Sequence, residues 1–319
     1  MQLSNMDVFS STDQADNLRR IIHPRPLKII AISSGKGGVG KTNVSINLAL
    51  AMAKQGKEVM VLDGDLGLAN IDVLLGLTTE YDLSHVISGE RTLEEIIVDG
   101  PENIKIIPAS SGINEMANLT PSQQMGLINA FSDLGHAIDV LIVDTGAGLS
   151  DTVTNFCKAS QDVVVVVHDE PASITDAYAF MKVMSRKHNV NRFHVLANMA
   201  NNASEGSALF KKLTKATDRF LDVILSFLGT VPYDEKLRKS VQHQRAVVEA
   251  FPRSPSALAF KRISRQINNW PVDTLSSEGH SSGELKFFVE RIIQLEMVVT
   301  NITQATSLNT VIPQQEACG

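Results

Sequence analysis

The chain has 319 residues, with 29 Lys and Arg against 35 Asp and Glu for a net charge of −6, and is 43% hydrophobic with only 5% aromatic side chains. That composition supports a substantial core and excludes a wholly disordered chain. The negative balance excludes a surface built throughout for nucleic acid, although a local basic patch remains compatible with it. The longest strongly apolar run, Val163 to Val167, falls far short of the ~18 residues a membrane-crossing helix needs. The N-terminus lacks the apolar centre and cleavage site of a secretory signal, so a cytoplasmic protein is expected. Cys157 and Cys318 have no CxxC spacing, which fits a reducing compartment.

In chain order, residues 1–26 read as an N-terminal extension. From Leu27 to Trp270, β-rich runs alternate with helix-length stretches, predicting an α/β fold with a mostly parallel sheet flanked by helices on both faces. The predicted strands are Leu27 to Ser33, Glu58 to Asp63, Asn103 to Ala109, Asp139 to Asp144, Asp162 to Val167, Arg192 to Asn198 and Val223 to Val231. Several are apolar throughout, as strands buried on both faces are. Helices are predicted over Lys41 to Gln55, closed by Gly56, and over Pro121 to Leu134, where Thr120 caps and Pro121 takes the first position. A Ser/Gly-rich linker is expected over residues 271–283. An amphipathic helix follows over 284–299, with Leu285, Phe288, Val289, Ile292, Leu295 and Val299 on one face. Residues 300–319 read as a flexible polar tail.

Directly after the first strand, Gly35-Lys36-Gly37-Gly38-Val39-Gly40-Lys41-Thr42 satisfies the phosphate-loop pattern G-x-x-x-x-G-K-[ST]. A strand feeds a glycine-rich turn and a helix starts at its end, so backbone N–H groups and the helix dipole converge on phosphate oxygens. Lys41 is expected to neutralise the β- and γ-phosphates, and Thr42 to offer its hydroxyl to Mg²⁺. Asp63, Asp65 and Asp144 stand at or just beyond strand ends, the edge where ligands sit in open α/β sheets. Asp144, after an apolar run, has the Walker B position and is expected to hold Mg²⁺ through water; Asp63 should support the metal less directly. An aspartate at a strand end also serves commonly as a turn or helix cap, a reading that stays open for Asp63 and Asp65. The strand ending at Asn198 lacks the lysine and aspartate of a guanine-reading motif, which favours ATP. Asn198 could pair with adenine or cap a helix, and Pro232 and Asp234, in Val231-Pro232-Tyr233-Asp234, are candidates to close the base pocket. No histidine or cysteine pairing has zinc spacing.

Lys36 adds a second lysine at the start of the loop, giving the deviant Walker A sequence K-G-G-x-G-K-T. With it the chain resembles the MinD/ParA group of P-loop ATPases. Longer segments, among them LDGDLGLANIDVLLGL, DEPASITDAYAF and QRAVVEAFPRSPSALAFK, are similar to flagellar number regulators of the FlhG (FleN) type. The resemblance implies a slow, Mg²⁺-dependent, dimer-activated ATP hydrolase. Lys36 would reach the partner subunit's nucleotide, as an arginine finger does, and Asp65 would orient or deprotonate the attacking water. It also implies an ATP-joined homodimer that restrains an AAA+ enhancer-binding flagellar transcription activator and contacts flagellar switch-ring proteins. Residues 13–19 fit the D-Q-A-x-x-L-R motif through which such proteins stimulate the GTPase FlhF.

Two surfaces stay open on sequence alone. Residues 236–265 carry eight basic side chains (Lys236, Arg238, Lys239, Arg245, Arg253, Lys261, Arg262 and Arg265) against Glu249. They form solvated helix faces, a dock for an acidic partner, or the DNA surface of a ParA-like partitioning ATPase, the alternative to a regulator without direct DNA contact. The C-terminal helix is similar to a MinD-type membrane-targeting helix, but Glu284, Glu290 and Glu296 outweigh Lys286 and Arg291 and weaken attraction to anionic lipid. Reversible contact at the membrane or cell pole and packing on the protein itself are equally open. A nucleotide-locked adaptor without turnover is disfavoured by Lys36 and Asp65, and a nitrogenase-type reductase by the lack of a second core cysteine.

Overall fold

The β-branched runs pair into one eight-stranded sheet in the computed structural model, which describes residues 27–65, 71–108, 119–134, 138–271 and 285–295. The strands are β1 (Lys28–Ser34), β2 (Val59–Gly64), β3 (Val98–Asp99), β4 (Lys105–Pro108), β5 (Val140–Ala147), β6 (Asp162–Val167), β7 (Arg192–Ala200) and β8 (Ile224–Pro232). In chain order the helices are α1 (Lys41–Ala53), α2 (Ile71–Leu75), α3 (Leu83–Ile87), α4 (Leu93–Ile96), α5 (Pro121–Ser132), α6 (Asp151–Ala159), α7 (Pro171–His188), α8 (Ala203–Phe220), α9 (Glu235–Gln242), α10 (Val247–Ala250) and α11 (Pro255–Asn268), followed by α12 over 285–295. The strand order is β3-β4-β2-β5-β1-β6-β7-β8, parallel except for the β3–β4 pair.

Each of the seven expected strands is present within three residues at either end, the largest difference being the extension of β5 to Ala147, because crossover helices cover both faces and leave no room for polar alternation. β1 is buried along its whole length, as is β2. The addition is β3, two residues long and antiparallel, too short to leave a periodic signal. Thr120 caps α5 in a reciprocal box with Gln123, and Pro121 takes the first turn, as the sequence suggests. At the opposite end of the sheet the Lys28 ammonium donates to the carbonyls of Ile267 (2.6 Å) and Trp270 (3.0 Å). A cation thereby closes the end of α11, where orphan carbonyls collect, and burial lowers the pKa of Lys28.

The apolar face of α12 lies against the body of the protein. Leu285, Phe288, Val289, Ile292 and Ile293 join a buried cluster that includes Leu27, Ile29, Leu62, Leu83 and Phe156. The rings of Phe156 and Phe288 stack with centroids 6.3 Å apart, and Arg291 donates to the Lys158 carbonyl at 3.0 Å. Val299, the last residue of the expected stripe, and the linker and tail lie outside the described residues, as does the 13–19 motif. Among the described residues no helix is long and apolar enough to cross a membrane.

Truncating a buried Phe costs ~3–5 kcal/mol in a packed core, more than a short docked helix can lose and stay docked. Phe288→Ala should therefore release α12, read as faster amide exchange over 285–295 with protection in β1 and β6 retained. Unchanged exchange in α12 would show that Phe288 is not its anchor.

Candidate functional site

The strand order brings the carboxyl ends of β1, β5 and β2 side by side, and the phosphate loop leaves the sheet there. Gly40 precedes α1 with φ 87°, and a Cβ on it would come within 2.7 Å of the Asn198 Nδ2; only glycine meets both demands. Gly35 is needed for a different reason, since its Cβ would fall 2.1 Å from the carbonyl oxygen of Asp176 in α7. The loop is also pinned by hydrogen bonds. Asn198 donates from Nδ2 to the Val39 carbonyl (2.8 Å), Ser34 from Oγ to the Lys36 carbonyl (2.7 Å), and the Gly148 N–H to the Ser34 carbonyl (3.0 Å). Gly40 offers no side-chain cap, so the first N–H groups of α1 are left for an anion. Gly37 and Gly38 form the exposed tip of the loop, and Val39 is buried behind it.

Charge is concentrated at this edge. Lys41 is 7% exposed, and burial lowers its pKa while Asp144 and Asp65 pull it back up. Its ammonium has neither hydrogen bond nor ion pair among the described residues. Asp144 has no solvent exposure, and burial pushes its pKa up to about 6, against the opposing pull of Ser45, Thr42 and Lys41. Its Oδ1 accepts from the Ser45 hydroxyl at 2.7 Å, whereas Oδ2 is buried without a hydrogen-bond partner. An orphaned carboxylate oxygen near a threonine hydroxyl is the hard oxygen donor set that Mg²⁺ prefers, so Asp144 and Thr42 fit that ion. Asp63, 4% exposed, accepts the N–H groups of Asp65 and Ile71, each at 3.4 Å, and so ties the end of β2 to the start of α2. Asp65 Oδ1 stands 3.4 Å from the point where a Cβ on Gly146 would lie, which sets it over the loop that ends β5.

Lys36 lies apart from this buried group. Its ammonium is 3.0 Å from Glu170 Oε2, with both side chains solvent-exposed, and the lysine holds the Glu170 carboxyl below its usual range. Glu170 also lies 3.6 Å from His168 Nε2, while His168 Nδ1 is 3.2 Å from the Asn198 carbonyl. Sequence reasoning missed Glu170, whose position before Pro171 looks like any acidic helix entry, and Ser45, which stands one helical turn after Lys41 and could have been found from that spacing.

The base-site expectations change in detail. The Asn198 donor is spent on the loop, so that residue fixes phosphate geometry before it can read a base. Pro232 ends β8, and Asp234 caps α9 through Lys236 N (2.8 Å) while accepting Ser256 N (3.0 Å) and Oγ (2.7 Å). Burial would raise its pKa, but the bonds from Ser256, Lys236 N–H and Ser254 outweigh it and the carboxyl is lowered. Asp234 is thus a brace between α9 and α11. Of the basic stretch, Lys236 stacks on Phe251, Arg245 pairs with Glu249 and Lys261 bonds the Pro252 carbonyl; these three cations are used within the fold. Cys157 is buried with its thiol pushed up to about 12, which makes it inert. No cluster of three potential metal-binding His, Cys, Asp or Glu side chains occurs among the described residues.

The chain is similar to known proteins along most of its length. The ParA family model, described as the NUBPL iron-transfer P-loop NTPase, matches residues 26–268. The chain is 55% identical to the antiactivator FleN of Pseudomonas aeruginosa over 84% of its own length and 94% of the relative's. With the flagellum site-determining protein YlxH of Helicobacter pylori it shares 32% identity over 89% and 98% of the two chains. Among solved structures, the fold is similar to the MinC:MinD cell division protein complex of Aquifex aeolicus, at TM-score 0.61 and 24% identity, covering 78% of this chain and 98% of that one. It is also similar to the septum site-determining protein MinD complexed with Mg-ADP from Pyrococcus horikoshii, at TM-score 0.60 and 24% identity, covering 76% and 96%.

The raised pKa of Asp144 has a definite sign. Its folded value lies above the unfolded ~3.9, so the group favours the fold at low pH and that contribution is lost as pH rises through about 6. Without nucleotide, wild-type protein should lose stability relative to Asp144→Asn between pH 4 and pH 6, measured as the difference in Tm. Mg²⁺-dependent ADP binding should weaken in the wild type as pH falls below about 6, while the variant should lack Mg²⁺ dependence throughout. A Tm difference that stays flat across that window would contradict the assignment.

Proposed function

The chain belongs to the ParA/MinD family of P-loop NTPases, in the FleN (FlhG) group, and on that premise we propose that it is an ATP-hydrolysing dimerisation switch that regulates flagellar number. The observation that carries this reading is the separation of its two loop lysines. Lys41 is buried facing Asp144 and Asp65, where it can serve only its own subunit's phosphates, whereas Lys36 is exposed and tied to Glu170 on the surface. A lysine so placed is available to a nucleotide held by a second copy, and its exposed ion pair is screened by solvent and easily exchanged.

In this reading the α1 N-terminus and Lys41 bind the β- and γ-phosphates, and Thr42 and Asp144 hold Mg²⁺. The ion held by these residues would supply positive charge to offset the negative charge that develops on phosphoryl transfer. Asp63 keeps the turn beyond β2 in place. Asp65 orients the attacking water, and Lys36 from the opposite subunit stabilises the transition state. Hydrolysis would be slow in the single subunit because Lys36 is not at its own phosphates. The name of the Pseudomonas relative supports restraint of a transcription activator, here an AAA+ enhancer-binding protein. Flagellar switch-ring proteins, and FlhF through residues 13–19, are further partners of the dimer. Direct DNA contact is not part of this function. Membrane contact at the pole would require α12 to leave the core on which it packs. The iron-transfer wording of the family model is not carried over, because Cys157 is buried and unreactive.

Lys36→Ala and Asp65→Ala should each reduce ATP turnover at least ~100-fold while ATP and ADP affinity change little. Sizing with ATP should show a dimer for Asp65→Ala and a monomer with ADP. Normal turnover in both variants would sink the mechanism, and ATP-independent size would sink the switch.

A further inference from the structure

The end of the sheet away from β3 is β8, and among the described residues no strand pairs with its outer side. Its sequence, ILSFLGTVP, is nine residues without a charge. Folded proteins normally blunt such an edge with lysine, an early proline, a bulge or a very short strand; here proline comes only at the last position, and the register shift against β7 comes after Phe227, leaving Ile224 to Phe227 in regular register. The Ile224 N–H donates inward to the Asn191 carbonyl at 2.7 Å. By strand alternation Leu225 and Phe227 then direct their N–H and C=O groups outward.

Beside this edge runs α8. Lys211, Lys215 and Arg219 follow one another at four-residue spacing, which aligns them on one exposed stripe. None has an ion pair among the described residues, whereas neighbouring Lys212 is paired with Asp169. Like charges at this spacing oppose helix formation, so the ladder is a cost to the isolated fold. The three side chains line a shallow open groove of about 540 Å³ together with Phe210, Thr214 and Asp218. Phe210 packs on Phe227 of β8 with ring centroids 5.0 Å apart, so groove and strand edge are continuous. Where α8 passes into β8, Phe220 and Ile224 are 59% and 60% exposed. This patch lies at the amino-terminal end of β8, opposite the sheet edge that holds the phosphate loop.

We propose that β8 accepts an extended acidic peptide segment of a partner protein as a ninth strand, with its carboxylates over the Lys211, Lys215 and Arg219 ladder and apolar side chains on Phe220 and Ile224. Main-chain hydrogen bonds supply affinity in such pairing, and the side-chain surroundings supply selectivity. Charge complementarity commits the occupant: the unpaired ladder disfavours a basic strand, and a second copy would set ladder against ladder. The surface is independent of nucleotide turnover and stands whether or not the dimerisation switch does.

The test is selection of a displayed library of random twelve-residue peptides on the full-length protein. Enriched peptides should alternate Asp or Glu with β-branched residues and slow amide exchange at Leu225 and Phe227. Affinity should fall at least tenfold in Lys215→Glu/Arg219→Glu, whose sites are exposed and leave the core intact, and on N-methylation of alternate peptide amides. ATP turnover of that variant should be unchanged. No enrichment, enrichment without acidic bias, protection elsewhere, or indifference to charge reversal each overturns the proposal. So does slow exchange of both amides before any peptide is added, which would mean that a segment of this chain or a second copy already holds the edge.

Discussion

Asp144 and Lys41 place opposite charges inside the fold, on neighbouring elements, without bringing them into contact. Removing either from water costs several kcal/mol, and a direct pair would repay part of that. Here the repayment is left incomplete: Ser45 holds one carboxylate oxygen, and among the described residues the other oxygen is without a hydrogen-bond partner and the ammonium without an ion pair. The surrounding structure has to hold this arrangement against collapse, and its features are intelligible as means to that end. β5 is central in the sheet and cannot shift. α1 is buried along most of its length, and its first turn carries the lysine. The phosphate loop between them is fixed by Asn198 on one side and by the close approach of Gly35 to α7 on the other. The Lys41 ammonium and the Asp144 carboxylate match, respectively, the charges of a phosphate group and of a divalent cation.

The parts of this arrangement that were legible in the sequence are those set by local rules. Buried parallel strands announce themselves as uninterrupted β-branched runs, and DVVVVV could hardly be anything else. The phosphate loop is legible because backbone geometry demands glycine at fixed places in it. Thr120 reads as a cap because it stands directly before a proline at the first helical position. The parts that were not legible are set by elements distant in the chain. Nothing near Glu170 says that it meets Lys36, 134 residues away. Asn198 looked like a base reader because its strand end suggested it, yet the bond it makes depends on Val39 being opposite. Asp234 looked like part of a pocket and instead ties α9 to α11 through Ser256, a residue no motif marks. In each case the contact is made with a partner that only the fold supplies.

The two lysines of the loop show how strongly environment separates identical chemistry. Lys36 and Lys41 are five residues apart, and the turn between them sends one outward and the other beneath the sheet edge. Burial weakens the hold of Lys41 on its proton, while Asp144 and Asp65 strengthen it, so its charge is set by what occupies the site. Lys36 stands in water, 3.0 Å from a carboxylate that is also exposed. A buried cation gives fixed geometry, and an exposed one gives reach, so one loop presents the same chemical group in two ways.

The site also extends mechanically beyond its ligating residues. The loop after β5 leads directly into α6, whose first turn is capped by Ser150 and whose Phe156 stacks on Phe288 of α12. Phe156 is also the nearest neighbour a side chain at Gly64 would meet, at 3.0 Å, and Gly64 ends β2 beside Asp65. One aromatic ring therefore lies against both the end of β2, next to Asp65, and the helix that closes the apolar face of the core. Close-packed interiors transmit displacements of a few tenths of an ångström because no void absorbs them. A movement of the β2 or β5 loop must accordingly be taken up either by Phe156, which is fully buried, or by the helix stacked against it. The second is the softer option, since α12 is joined to the body of the protein by side-chain packing and one described hydrogen bond from Arg291, whereas α6 is threaded between β5 and β6.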